Sequence, residues 1–426
     1  MSGAGRGRPP STRGPVPAAV DVAIVGGGIM GLALAYNLAR ASAGASTRGQ
    51  GRARQAGGAL RIAVLEAGTL ASGASGRNGG GLRQQWSTEL NIRLMQESLE
   101  LCAGFAADMG VNVWMRRGGY LFLVRDEATR AGLERSIALQ NLCDVPTRLI
   151  STAEASGLVP ELDVRPFIAA SYNPTDAVVF PWPFLWGYAE AAMRLGVSIH
   201  TETRVTTIAR APGSGVGDFT LRTTRGALTA ERVVNAAGAW SPEVAALLGV
   251  ELPNWPARHE ILSTEALKPF LTPMVSVLES GLYFSQSLRG ELVGGITLPE
   301  EPEQDEGDEA RRRPRVRLGS RLRFLEAMSA GLLELMPRLG NIKVVRQWAG
   351  PYDLTRDGNP ICGEVPGVPG FFVCCGFMGH GFMMAPVVAR HYALFLRGEA
   401  THPLFHKWRL SRFAEGDLES EHMIIG

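Results

Sequence analysis

The sequence predicts an α/β fold, in which a parallel-sheet domain assembled from discontinuous segments holds a second, mainly antiparallel α+β domain. Three observations carry this expectation. The stretch Asp21 to Leu38, DVAIVGGGIMGLALAYNL, reads as a β-branched strand, a glycine turn and an amphipathic helix. A further apolar strand, Arg61 to Glu66 (RIAVLE), ends in an acid. Helices and apolar strands then cluster at both ends of the 426 residues, with antiparallel strands between them. That length exceeds one simple core, so two domains are expected.

The first turn carries chemistry. Gly26, Gly28 and Gly31 supply G-x-G-x-x-G: a tight turn, a bare approach for a pyrophosphate, and close helix–strand packing. The following helix N-terminus offers N–H groups and a positive dipole end to phosphates. Glu66 stands where a carboxylate accepts from the adenosine ribose hydroxyls of a dinucleotide. A glycine turn that binds nothing leaves Glu66 unexplained. The polar, low-complexity stretch Ala43 to Gly58 reads as an exposed insertion that lengthens the usual glycine-to-acid spacing.

The remaining elements follow in order. Leu70 to Gly81 (LASGASGRNGGG) is a small-residue loop. Thr88 to Met109 is a helix, Gly118 to Val124 a strand, Asp126 to Cys143 a helix, and Phe184 to Leu195 another helix. Ser198 to Ile208, Phe219 to Thr223 and Arg232 to Ala236 are strands. Leu282 to Ser285 and Glu291 to Ile296 form an antiparallel pair around Arg289 and Gly290. Pro299 to Arg317 is a charged, solvated loop, Leu322 to Met336 a helix, and Val344 to Trp348 begins the last strand group. Gly370 to Ala389 is long and apolar enough to suggest a membrane span, but its four glycines and its proline read instead as strand (Phe371 to Cys375), turn and helix start. No transmembrane segment is expected.

Composition narrows the class. A hydrophobic share of 45% with 20% charged residues suits a soluble globular protein, and a net charge of +2 gives no electrostatic case for nucleic acid. The five cysteines, Cys102, Cys143, Cys362, Cys374 and Cys375, are odd in number and form no C-x-x-C, which argues against a disulfide framework or metal site and suits a reducing compartment. Residues 1–20 are rich in Gly, Pro and Arg without an apolar core, so they read as a disordered tail rather than a secretory signal. A cytoplasmic location is expected.

The glycine motif, the acid after the second strand, the SGRNGG loop, VVNAAGAWS and the late GFMGHGFMMAPV together resemble the D-amino-acid oxidase family of FAD flavoproteins, over roughly Asp21 to Leu396. Within it the chain is most similar to the glycine oxidase, sarcosine oxidase and sarcosine oxidase β-subunit branch. The resemblance implies a Rossmann-like, glutathione-reductase-like FAD domain from 21–110, 186–250 and 340–400, an interleaved substrate domain from 111–185 and 251–339, and a tail at 401–426. It implies that Ser75, Arg77, Asn78, Gly79 and Gly80 approach the cofactor, with Arg77 offsetting phosphate charge. Val205 lies on a strand whose family counterpart holds adenine through its backbone. Ala237, Gly238 and Trp240 lie where the dinucleotide passes. Gly379, His380 and Gly381 lie against the flavin, followed by Phe382 and Met383, where N–H groups and the helix dipole stabilise negative charge on the reduced ring. His380 adds a donor there or is structural; Met383 and Met384 also suit a plain core role.

The family oxidises an amine at the carbon bearing it, and water hydrolyses the resulting imine. A carboxylate buried beside the flavin needs a cationic partner. Arg83 is the candidate, because RQQW occupies the place of an active-site arginine segment; otherwise it caps the flavin loop or sits in a surface salt bridge. Tyr283 holds the carboxylate through its hydroxyl or packs through its ring. Arg258, His259, Arg346 and Trp348 are weaker candidates. The segment Arg346 to Tyr352 lacks the cysteine of covalently flavinylated relatives, so FAD is expected to be non-covalent. No lysine falls near Glu291 to Val293, which implies slow reaction with oxygen and makes another redox partner plausible as electron acceptor. Met383 replaces the lysine that relatives use to bind substrate, so the substrate differs from sarcosine or Arg83 carries its carboxylate alone. The expected activity is oxidation of a small amino acid or secondary amine, alone or as the β-subunit of a heteromeric enzyme. The alternatives are an assembly factor that keeps the flavin fold without turnover, and an NAD-linked dehydrogenase, which leaves the late glycine segment without a purpose.

Overall fold

The computed structural model describes residues 10–45, 59–210, 218–299 and 318–425. The predicted insertion at 43–58, the loop at 299–317 and the start of the predicted tail lie largely outside these residues. The described end of that tail is tied down: the Thr12 amide donates to the Ile199 carbonyl at 2.6 Å, and the Ile199 amide donates to Thr12 Oγ1 at 2.8 Å.

The first sheet carries the glycine turn. Its parallel strands run, in spatial order, Ser198–His200, Ile62–Leu65, Ala19–Val25, Gly226–Asn235 and Phe371–Cys375. Ile361–Glu364 pairs antiparallel beyond the last of these. Every residue of Ile62–Leu65 and Phe371–Cys375 is buried, as expected for strands covered on both faces. Alternation sends Val22, Ile24, Ile62 and Val64 into a core shared with the helices Ile29–Ala45, Glu89–Met109, Pro181–Arg194 and Gly381–Leu396. Ala23, Val25, Ala63 and Leu65 point to a second core, under the hairpin of Val205–Arg210 and Phe219–Thr223.

One predicted strand divides. Ser198 to Ile208 is two strands, Ser198–His200 in the parallel sheet and Val205–Arg210 in the hairpin. Between them the Glu202 amide donates to Gly68 and the Thr203 amide to Glu66, so these N–H groups are taken by the turn after the second strand instead of a ladder.

The second sheet is mainly antiparallel. Its order is Val344–Leu354, Trp255–Ala266, Glu291–Gly295, Leu282–Gln286, Met274–Val277, Tyr120–Val124, Ala169–Asn173 and Arg148–Ile150. Only the Met274–Val277 and Tyr120–Val124 pair is parallel. Leu121, Leu123, Val275, Val277 and Phe284 face the helix Leu322–Leu335, while Tyr120, Met274, Ser276 and Tyr283 face the opposite side, where the site lies. Val344–Leu354 pairs along Trp255–Ala266 in this sheet, although its position in the sequence had placed it with the parallel domain. Alternation reveals a strand's faces but not its partner, and the partner decides its sheet.

Residues 401–425 are more than a tail. Arg412, in the short helix Arg412–Glu415, donates from Nε and Nη2 to both carboxylate oxygens of Asp357 at 2.8 and 3.0 Å, and both side chains are 1% exposed. Further on, the Asn359 side chain donates to the Glu419 carbonyl at 2.6 Å. Among the described residues no helix is long and apolar enough to cross a membrane, and no cluster suited to a metal ion occurs.

Candidate functional site

The carboxyl ends of the parallel strands, where α/β sheets bind ligands, open onto a cleft of about 560 Å³. Gly26 turns the chain there at φ +117°, and a Cβ would run into the Ala236 carbonyl. Gly31 packs on the Gly26 carbonyl, so its part is helix–strand contact, and it lines no cavity. Gly28 presents bare backbone to the cleft, with only the Ser75 hydroxyl near a hypothetical Cβ, at 3.0 Å. Ser75 Oγ accepts from the Ile29 amide at 3.0 Å, which satisfies one orphan donor of the first helix. Glu66 accepts from the Gly27 amide at 2.7 Å and the Gly68 amide at 2.8 Å, so its carboxylate is fixed at the cleft wall.

The other side of the cleft is built from Val205, Ala237, Gly238 and Trp240, and its far end from Asn78, Gly379, Gly381 and Phe382. A floor of glycine backbone, an anchored acid and small residues opposite fit an extended dinucleotide. Among the described residues of the loop 75–80, Asn78 donates to the Ser75 carbonyl at 2.6 Å and accepts from the Gly80 amide at 2.8 Å. Arg77 donates to the Ser72 carbonyl, and burial lowers its pKa. Trp348 donates to the Arg77 carbonyl at 3.0 Å, so Trp348 supports the loop from behind and lines neither cavity.

Ala74, Asn78, Tyr352, Gly379 and Phe382 are shared with an adjoining cavity of about 90 Å³ that reaches the second sheet. Arg77, Gly79, Gly80, Arg83, Tyr283, His380 and Met383 line this second space. All the sequence-predicted site residues except Gly31 therefore converge on the two cavities. Of the weaker candidates only His259 is among the lining residues; Arg258, Arg346 and Trp348 are not.

Sequence reasoning missed several lining residues: Tyr120, Ser276, Tyr352, Met274 and Ile425. It also missed Asp353, which lines the cleft and accepts from the Gly376 amide at 2.6 Å and the Phe377 amide at 3.2 Å. These bonds fix the turn from which Gly379 and His380 lead into the last helix. Gly379, at φ +80°, leaves no room for a Cβ against the Tyr352 ring. Tyr352 and Asp353 lie beyond the stretch Val344 to Trp348 read as strand, in the part of Val344–Leu354 that no local pattern marked.

Burial sets the charges. Arg83 is fully buried and its pKa falls to about 10, so it remains a cation. Its guanidinium donates to the Gln85 and Met423 carbonyls, lies 3.1 Å from His380 Nε2, and stacks over Trp86 with Cζ 4.0 Å from the ring centroid. His380 is driven well below its usual pKa by burial and then by Arg83. Burial lowers His259 to about 4, so its imidazole is neutral, and raises Tyr283 and Tyr352 above the usual phenol value. The His259 ring stacks on Tyr352 at 4.5 Å, and Asp353 is raised by burial to about 6.

Residues 21–394 match the DAO family, described as FAD dependent oxidoreductase. Sarcosine oxidase subunit beta of Rhodobacter capsulatus is 29% identical over 419 residues, covering 95% of this chain and 91% of its own. Glycine oxidase of Geobacillus kaustophilus is 27% identical over 374 residues, covering 86% and 90%. The crystal structure of L-proline dehydrogenase from P. horikoshii superposes with a TM-score of 0.82 at 30% identity, covering 95% of this chain and all of that one. With the glycine turn, the anchored acid and the late helix start all opening onto one continuous space, the chain belongs to the DAO family of FAD-dependent oxidoreductases and is a flavoenzyme.

Proposed function

We propose that the chain oxidises the C–N bond of a small amino acid or secondary amine of the glycine, sarcosine or proline kind. One observation carries this reading. The described residues lining the smaller cavity include the cations Arg77 and Arg83 but no Asp or Glu. Such a lining attracts a substrate carboxylate and offers no anionic partner to an ammonium, so it favours the amine as its free base. The neutral imidazole of His259, 3.0 Å from the Tyr283 hydroxyl, adds polarity without charge.

FAD, when bound, supplies the two-electron acceptor. Gly26, Gly28, Ser75 and the first helix N-terminus would hold its pyrophosphate, Glu66 its ribose, and the backbone of Val205 its adenine. The segment Arg346 to Tyr352 carries no cysteine, which supports non-covalent attachment; Cys374, which lines the larger cleft, is buried within the strand Phe371–Cys375. Arg83 orients the substrate carboxylate through its field, since its described donors already serve carbonyls and His380. Tyr283 and Tyr352 fix the carboxylate from the second sheet. The names of the similar proteins support this substrate class, and the name "subunit beta" supports assembly with other subunits. Anaerobic mixing of the purified yellow protein with glycine, sarcosine, proline and D-amino acids should bleach the flavin with at least one of them. A flavin that none of them reduces would favour the non-catalytic alternative.

A further inference from the structure

Residues 421–425 enter the smaller cavity from the far end of the chain. Glu421 is 4% exposed and is held from several sides. Its carboxylate accepts from the Ser87 amide, Thr88 Oγ1, Asn91 Nδ2 and the Met423 amide, each at 2.9 Å, and from the Ser87 hydroxyl. Its own amide donates to the Asp357 carbonyl at 3.1 Å. The His422 amide donates to Ser87 Oγ at 2.8 Å. A carboxylate so fully engaged is an anchor, and it fastens the segment beside the start of the helix Glu89–Met109, a few residues after Arg83.

From that anchor the chain reaches the site. The Met423 side chain is buried against Tyr120 and Met274, its carbonyl accepts from Arg83 Nη2, and Ile425 lines the cavity itself. Two consequences follow. The Arg83 fork cannot close on a carboxylate with both terminal nitrogens, because Nη2 is engaged twice, by the Met423 carbonyl and by His380 Nε2. Ile425 supplies part of the apolar lining of this small cavity, packed on the cluster of Tyr120, Phe122 and Met274, so its bulk limits what fits.

We infer that Ile425 is a specificity-determining residue and Glu421 its positioning residue, together restricting the cavity to amino acids with little bulk on the α-carbon or the nitrogen. The inference rests on the reading of this cavity as the substrate site. The test uses the FAD-loaded full chain and its Ile425→Ala and Glu421→Gln variants, each checked for flavin content. Acetate and benzoate are titrated against the oxidised protein, with the change in flavin absorbance as readout. Reduction by glycine and by N-benzylglycine is then followed anaerobically. A methylene in an apolar site is worth about 10- to 200-fold in discrimination. Ile425→Ala is therefore expected to shift the benzoate-to-acetate affinity ratio, and the N-benzylglycine-to-glycine reduction ratio, about tenfold or more toward the larger ligand. Glu421→Gln should shift both the same way by releasing the wall. Ratios within about twofold of wild type in both variants, with flavin retained and the wild type responsive, would overturn the wall assignment alone. A wild-type flavin that no acid perturbs and no amine reduces would overturn the substrate-site reading, and the wall assignment with it.

Discussion

The Tyr283 hydroxyl lies 3.0 Å from Nε2 of His259, and the two side chains come from different strands of the antiparallel sheet. His259 stands opposite Gly350 in the ladder, and its ring stacks on Tyr352 of the same neighbouring strand. The three rings thus form one uncharged group lining the same cavity as Arg83.

Tyr283→Phe should raise KM for the best substrate about tenfold to a hundredfold, with a smaller change in the limiting rate of flavin reduction. A hydrogen bond to a charged group is worth about 1.5–3 kcal/mol. Stopped-flow reduction across a substrate series separates the two effects. An unchanged KM would remove Tyr283 from carboxylate binding.

His259 ties stability to pH. Its folded pKa of about 4 lies below the usual histidine value, so the unfolded chain takes a proton first as pH falls. Its contribution is complete above about pH 6.5 and is lost progressively down to about pH 4. Thermal unfolding of the holoprotein should therefore show a steeper loss over this window in wild type than in His259→Gln.

Gly26→Ala should abolish FAD uptake, since a Cβ there collides with the Ala236 carbonyl at a positive φ. Glu66→Gln should weaken FAD binding about tenfold or more while leaving the fold, by removing charge from the group that holds the Gly27 and Gly68 amides. Fluorescence titration of the apoprotein measures both. Acid precipitation of wild type should leave the flavin in the supernatant.

Arg412→Met should lower stability by about 3–5 kcal/mol, because it strands a buried Asp357 carboxylate. Denaturant unfolding reads this directly. The double change Arg412→Met with Asp357→Leu should recover part of the loss.

Steady turnover with a dye as acceptor should exceed oxygen consumption. No lysine lines either cavity, and the Arg83 charge is shared among the Gln85 and Met423 carbonyls. Rapid peroxide formation would refute this expectation.

The lining of the larger cleft was legible because its signals are local. Gly26 to Glu66 and Gly379 to Gly381 each write their purpose within a few residues of a strand end or helix start. The smaller cavity was legible only in part: Arg83, Tyr283 and His380 were named, whereas Tyr120, Ser276, Tyr352 and Ile425 were not. His259, Tyr283 and Tyr352 meet only through strand pairing, and alternation along a strand leaves its neighbour undefined. Glu421 reaches Asn91 across 330 positions, a distance over which no periodic signal extends. The split of Ser198 to Ile208 was hidden for a related reason: the competing acceptors belong to Glu66 and Gly68, on another element.

Asp353 ends the long strand of one sheet and grips the two amides at the turn leaving the other. It works as a rivet between the molecule's halves at the corner where both cavities meet. Parting the two sheets at that corner would have to break both of these bonds, so any opening there carries their cost.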